Sequence, residues 1–168
     1  TILMDSDDQF VKKGIETIVG ELLNSEKYNK NENFAGMVFL CSDENHNVIG
    51  KRFPKDKAIG NIVKDHADNK IDGDKKEVIN SELLKKYMYV PFESEKRMAT
   101  SILWNRISHN YDVLNINEIV AIKIYCDDGL GKNIDKVRML SCQSSALYYS
   151  EALNSHRLVY KSYFFEYT

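Results

Sequence analysis

Proline is almost missing from this chain. Pro54 and Pro91 are its only two, so few places are barred outright from continuing a helix or strand. Cysteine is scarce too. Cys41, Cys126 and Cys142 cannot all pair, and none stands in a Cys-x-x-Cys. Each closes an apolar run, where a free thiol packs as a small hydrophobe, so reducing, cytoplasmic surroundings are expected. No apolar run approaches the roughly 20 residues of a membrane span, and no stretch reads as a secretory leader. No membrane partner is expected. The charge excess is only -2 with a pI near 6.1, which argues against a surface built to coat nucleic acid or anionic lipid. The signatures Gly-x-Ser-x-Gly, His-Glu-x-x-His and the dinucleotide-binding glycine pattern are all missing. No cofactor and no metal are expected.

What remains is an ordinary globular composition, 43% hydrophobic and 29% charged over 168 residues. That length can bury a core without staples, and no linker or repeat divides it, so residues 1–168 read as one domain.

The chain is organised around residues 117–142. Side chains alternate across a strand, and from Ile119 to Tyr125 both faces are largely apolar. Such a strand belongs inside a sheet, with Val120, Ile122 and Ile124 buried. Residues 136–142 repeat the pattern more briefly and read as a second strand. Around this centre, Ser6 with Gln9 matches a capping box, which predicts a helix over 7–24 with Val11, Ile15, Ile18 and Leu22 on one face. Residues 34–41 predict a buried strand returning over 48–53 as a hairpin. Helices are expected over 55–65, 77–86, 94–107 and 144–154. An exposed loop is expected over 66–76, a short strand over 87–90, and an aromatic strand over 157–167. The sum is an α+β single domain, an antiparallel-rich mixed sheet of about five strands packed with four to five helices.

Several constellations carry chemical meaning. Cys142 between a strand and a helix would sit where peptide dipoles favour a thiolate. His156 could activate it, and Gln143 could orient a base or donate to an oxyanion. The competing expectation is that Cys142 is a buried, inert thiol. The layout around His66-Ala-Asp68 is loosely similar to a zinc deaminase. That chemistry requires His-x-Glu and Pro-Cys-x-x-Cys, and the chain offers Asp68 and the single thiol of Cys142. The acidic run Asp68, Asp72, Asp74 fails as an EF-hand, because Lys70 and Ile79 occupy ligand positions. Asp128-Gly-Leu-Gly-Lys132 lacks the spacing of a phosphate loop and suits a hairpin turn.

Tyrosines crowd the last quarter. Tyr160, Tyr163 and Tyr167 are stiff, amphipathic rings of the kind that anchor interfaces. The leading expectation is a small intracellular protein that binds another macromolecule, most plausibly a protein, as an inhibitor, immunity or accessory factor does. The alternatives are a cysteine hydrolase or deamidase on Cys142 and His156, and a degenerate zinc deaminase.

Overall fold

In the computed structural model, residues 1–25, 32–95, 97–125 and 134–153 are described, the side chains of 134 and 135 excepted. The centre is β2, Phe34–Ser42, in which every residue after Phe34 is buried. Its run Ala-Gly-Met-Val-Phe-Leu-Cys has no polar face to give to water, so it is sheltered on both sides. β5, Asp112–Ile122, lies parallel to it, with Met37 opposite Leu114 and Phe39 opposite Ile116. β4, Lys75–Ile79, runs antiparallel on the other flank. The outer flank of β5 is shared: β3, Ala58–Gly60, pairs with its first half, and β1, Gln9–Phe10, with its end. Five strands thus form one mixed sheet with β5 in its interior.

Six helices complete the α+β single-domain fold among the described residues. They are α1 (Gly14–Asn24), α2 (Ile62–Ala67), α3 (Ser81–Tyr87), α4 (Ser101–Ser108), α5 (Ile134–Leu140) and α6 (Cys142–Leu153). One sheet face packs Val38, Leu40, Ile79 and Val113 against Leu84 of α3 and Leu103 and Ile107 of α4. The other packs Met37, Phe39, Val78, Ile116 and Val120 against Ile18 of α1. Alternate residues of β2 therefore feed two cores.

Two glycines make this packing possible. Gly36 has φ +151, and a Cβ there would lie 2.0 Å from the Val78 carbonyl oxygen. Gly14 opens α1 against β5, where a Cβ would lie 2.3 Å from the Val120 oxygen. Both sites are closed to a side chain by backbone.

Several expectations are corrected. The first helix begins at Gly14, not at residue 7: Gln9 and Phe10 are claimed by β5, and Asp8 is buried in ion pairs instead of capping a helix. The 48–53 return strand reduces to one bridge between Val48 and Ser42. Beyond it the chain is held by Asn117, whose side chain accepts from the Phe53 amide (2.9 Å) and donates to the Phe53 carbonyl (3.0 Å). The helix expected over 55–65 divides into β3 and α2 at Asn61, whose side chain caps Lys64. The helix expected over 77–86 is β4 followed by α3, since pairing with β2 overrides local helix preference. The loop over 66–76 is exposed at 68–70 and 72–74, while its ends belong to α2 and β4 and Ile71 is buried. Residues 87–90 form no strand, and the helix expected over 94–107 is α4, which starts only at Ser101 and ends at Ser108. Residues 136–142, read as a strand, are the end of α5 and the start of α6, with Met139 and Leu140 facing water. Val120 is fully buried as expected, but Ile122 and Ile124 are half-buried, because β2 ends at Ser42, opposite Ile122. The 157–167 strand lies outside the described residues.

Candidate functional site

Cys142 stands at the first turn of α6 and is exposed, against the expectation of a buried thiol. The N–H groups of that turn are already used. Glu95 takes both: its Oε1 accepts from the Gln143 amide and its Oε2 from the Ser144 amide at 2.9 Å. The Gln143 side chain donates to Ser94 Oγ at 3.0 Å, and Ser144 Oγ accepts from the Ala99 amide at 3.1 Å. A carboxylate therefore occupies the anion position that a thiolate or an oxyanion would need. His156 lies outside the described residues, as do Cys126, Tyr160, Tyr163 and Tyr167.

The zinc arrangement is not assembled around His66 and Cys142. Among the described residues the one group of His, Cys, Asp or Glu with ligand atoms close together is Asp5, Asp7 and Asp8, within 4.8 Å. Two cations already serve it. Asp8 Oδ2 accepts from Lys76 Nζ at 3.2 Å and from Lys123 Nζ at 3.0 Å, and Lys123 reaches Asp5 at 2.7 Å. The side chains of Asp8 and Lys76 are only 1% and 5% exposed, so this is a buried ion-pair cluster pinning the N-terminal segment to β4 and β5. The acidic stretch is likewise committed: Asp72 accepts from the Lys51 amide (3.0 Å) and Asp74 from the Tyr125 hydroxyl (2.8 Å).

The outward side of α1 is more informative. Ile18 enters the core, while Ile15 (48% exposed), Val19 (47%), Leu22 (37%) and Leu23 (69%) stand in water. Their spacing of four, three and one puts all four on one helical face. Lys57 reaches across to Glu21 of α1 at 2.7 Å, bringing the turn before β3 beside the helix. Ile59 of β3, itself 47% exposed, pairs directly with Leu114, which belongs to the α1 side of the sheet. Opposed residues of an antiparallel pair share a face, so Ile59 extends the apolar surface. Beyond β3 no further strand follows among the described residues.

No family model matches the chain, and no curated protein and no solved structure matches it.

A second feature lies on the opposite face. A cavity of about 710 Å³ opens between the β4 side of the sheet and the helices, lined among others by Asp65, His66, Glu77, Trp104, Asn105 and Asn115. Asn61 fixes this wall, since its side chain donates to the Ser108 carbonyl (3.0 Å) and the Tyr111 carbonyl (3.1 Å) while capping α2. On α2, Asp65 Oδ2 accepts from Asn115 Nδ2 at 2.6 Å. His66 Nδ1 lies 2.9 Å from the Ile71 carbonyl. A carbonyl only accepts, so Nδ1 carries the proton and, in the neutral ring, Nε2 keeps its lone pair. Glu77, on β4, has its carboxyl pushed up to about 7 by burial. Two side-chain atoms here lack partners: Asn105 Nδ2 and Asn115 Oδ1, in residues 3% and 5% exposed. No sequence motif announced Asp65, Glu77, Asn105 or Asn115. Each is a single amide or acid whose role appears only when α2, α4, β4 and β5 come together.

Proposed function

We propose that this chain works by docking onto another protein through the outer face of α1 and the adjoining edge of β3. One observation carries the reading: Ile15, Val19, Leu22 and Leu23 form an apolar stripe on a single helical face, in water. Four large apolar groups on one face cost solvation without helping this fold, and contiguous exposed apolar surface marks interaction sites. The i, i+4, i+7, i+8 spacing is that of a helix seated in a partner's groove. The unpaired edge of β3 beside it offers main-chain donors and acceptors, which favours a polypeptide over a lipid or a nucleic acid. The earlier tyrosine anchors Tyr160, Tyr163 and Tyr167 stay part of this reading as further contacts to be tested. A reducing, cytoplasmic setting fits the free, exposed thiol of Cys142.

The cysteine-hydrolase alternative has two contacts against it: Glu95 holds the N–H groups beside Cys142, and Ser94 holds the Gln143 side chain. The zinc-deaminase alternative finds no ligand group at His66 or Cys142 among the described residues.

The test is a photo-crosslinking residue at Val19 in living cells, followed by reconstitution with the purified captured protein. A stoichiometric complex is expected, weakened more than about fivefold in Leu23→Asp, the loss of a hot spot worth over 1 kcal/mol. The far-UV spectrum of that variant should be unchanged. A complex equally tight in Leu23→Asp would overturn the proposal, as would crosslinking only to a second copy of this chain.

A further inference from the structure

Among the described residues, the charged side chains along the cavity wall are engaged with a single exception. Lys75 Nζ is held by the carbonyls of Ile49, Asp72 and Gly73 at 3.2, 2.6 and 3.2 Å. Lys76 and Lys123 pair with Asp8, and Lys123 also with Asp5. Asp65 accepts from the side chains of Asn69 and Asn115, and Asp74 from the Tyr125 hydroxyl. His66 is turned to the Ile71 carbonyl, and Arg138 of α5 also has a partner. The exception is Glu77, whose carboxyl forms no ion pair and no hydrogen bond beyond one to its own amide.

The sheet register aims Glu77 at the cavity. It lies opposite Val38, and Val38 lies opposite Asn115, so the three form a row on the face that α3 and α4 cover. All three line the cavity. Glu77 is half-buried, yet burial is what pushes its carboxyl up to about 7. The surface it keeps therefore faces enclosed space and not bulk water, where a guest can touch it. Trp104, Tyr89 and Tyr148 stand along the same wall, each half-buried. An acid among aromatic rings suits a cation that carries a flat apolar body. A volume of about 710 Å³ lies within the range of sites that enclose small organic ligands.

We propose that this cavity binds a small arylalkylamine, its ammonium paired with the Glu77 carboxylate and its ring among Trp104, Tyr89 and Tyr148. Below neutrality Glu77 carries a proton, and the amine arrives already protonated. Binding then breaks the carboxyl O–H, releases that proton to solvent and lets the carboxylate accept from the ammonium N–H. An anionic guest would meet Glu77 with every nearby base already engaged, and a neutral guest would leave the carboxylate uncompensated. This site is on the opposite sheet face from α1 and does not depend on the docking surface.

The test titrates phenethylamine, its neutral isostere phenethyl alcohol and the anion phenylpropionate. The readout is the fluorescence and the indole N–H signal of Trp104, the single tryptophan of the chain. At pH 8 the amine should bind at least tenfold more tightly than the alcohol or the anion. Its affinity should fall about thirtyfold from pH 8 to pH 5.5, the loss expected as a carboxyl near 7 takes up its proton. Glu77→Gln has the shape of the protonated acid, so it should melt like the parent at pH 5 while losing both the preference for amine and the pH dependence. The proposal fails if millimolar amine leaves the Trp104 signals in place, or if the alcohol or the anion binds as tightly as the amine. It fails equally if affinity is flat with pH, or if Glu77→Gln keeps the affinity or the pH profile of the parent.

Discussion

Asp8 and Lys76 form an ion pair at 3.2 Å with side chains only 1% and 5% exposed. Asp8 belongs to the turn before β1 and Lys76 to the edge strand β4. Lys123, past the end of β5, completes the group at 3.0 Å. Three parts of the chain far apart in sequence are thus joined by one carboxylate.

Removing that carboxylate should be costly. Asp8→Ala strands the Lys76 ammonium in a dry site and leaves Lys123 only Asp5, and is expected to lose about 3–5 kcal/mol of stability. Asp5→Ala, at the 72%-exposed end of the cluster, should change it by less than about 1 kcal/mol. Urea midpoints of the two variants check the contrast, and equal losses would show that Asp8 is not the linchpin.

Stability should depend on pH through Glu77. Its carboxyl titrates near pH 7 in the fold against an ordinary 4.5, because burial disfavours the charge. Between those values the folded state holds a proton that the unfolded state has released. The stabilising contribution is therefore complete below about pH 4.5, falls as pH rises, and is gone above about 7. Its size is at most about 3 kcal/mol. Glu77→Gln should flatten the difference between denaturation midpoints measured at pH 5 and pH 8; an unaltered slope would place the titrating group elsewhere.

The two described thiols should separate cleanly. Cys41 is fully buried in β2 and burial pushes its thiol up to about 11, whereas Cys142 is exposed. Iodoacetamide should label Cys142 in the folded protein and reach Cys41 only on unfolding, as read by peptide mass spectrometry. Labelling of Cys41 under native conditions would contradict the burial of β2.

Core and margin of β5 should also respond differently. Ile116→Ala, at a site with 0% exposure, should cost about 2–5 kcal/mol. Ile122→Ala, half-buried where β2 stops, should cost less. Similar midpoints for both would mean that the sheet extends past Ser42.

The parts of this fold that could be read in the sequence are those whose burial is written in apolar residues. β2 and the second half of β5 were legible because both of their faces are greasy, which only a sheet interior tolerates. β4 was not, since Lys-Lys-Glu looks like a solvated surface. Lys76 is buried because Asp8, 68 residues away, neutralises it, and Glu77 is half-buried because its own proton can neutralise it. The segment from Val137 to Leu140 misled in the opposite sense: its apolar side chains suggested a strand, yet Met139 and Leu140 project from α5 into water. The apolar residues of α1 were visible as a helical stripe, but which side of the helix met the core was not. Only Ile18 does so fully, because Gly14 sets the helix down on Val120. Asn105 and Asn115 gave no signal at all, as a lone amide acquires meaning only from the neighbours it fails to bond.

The parallel pairing of β2 with β5 also sets a timetable. Phe34 lies opposite Asp112 and Leu40 opposite Ile119, so the central ladder joins residues nearly eighty positions apart. Closing a loop of that length must precede any reward from the pairing, which places the chain among slow, high-contact-order folders. During synthesis β2 emerges long before its partner. Until β4 arrives to cover one edge, and β5 later the other, a nine-residue apolar strand waits with both edges open. That interval, not the finished fold, is when this protein is most exposed to aggregation.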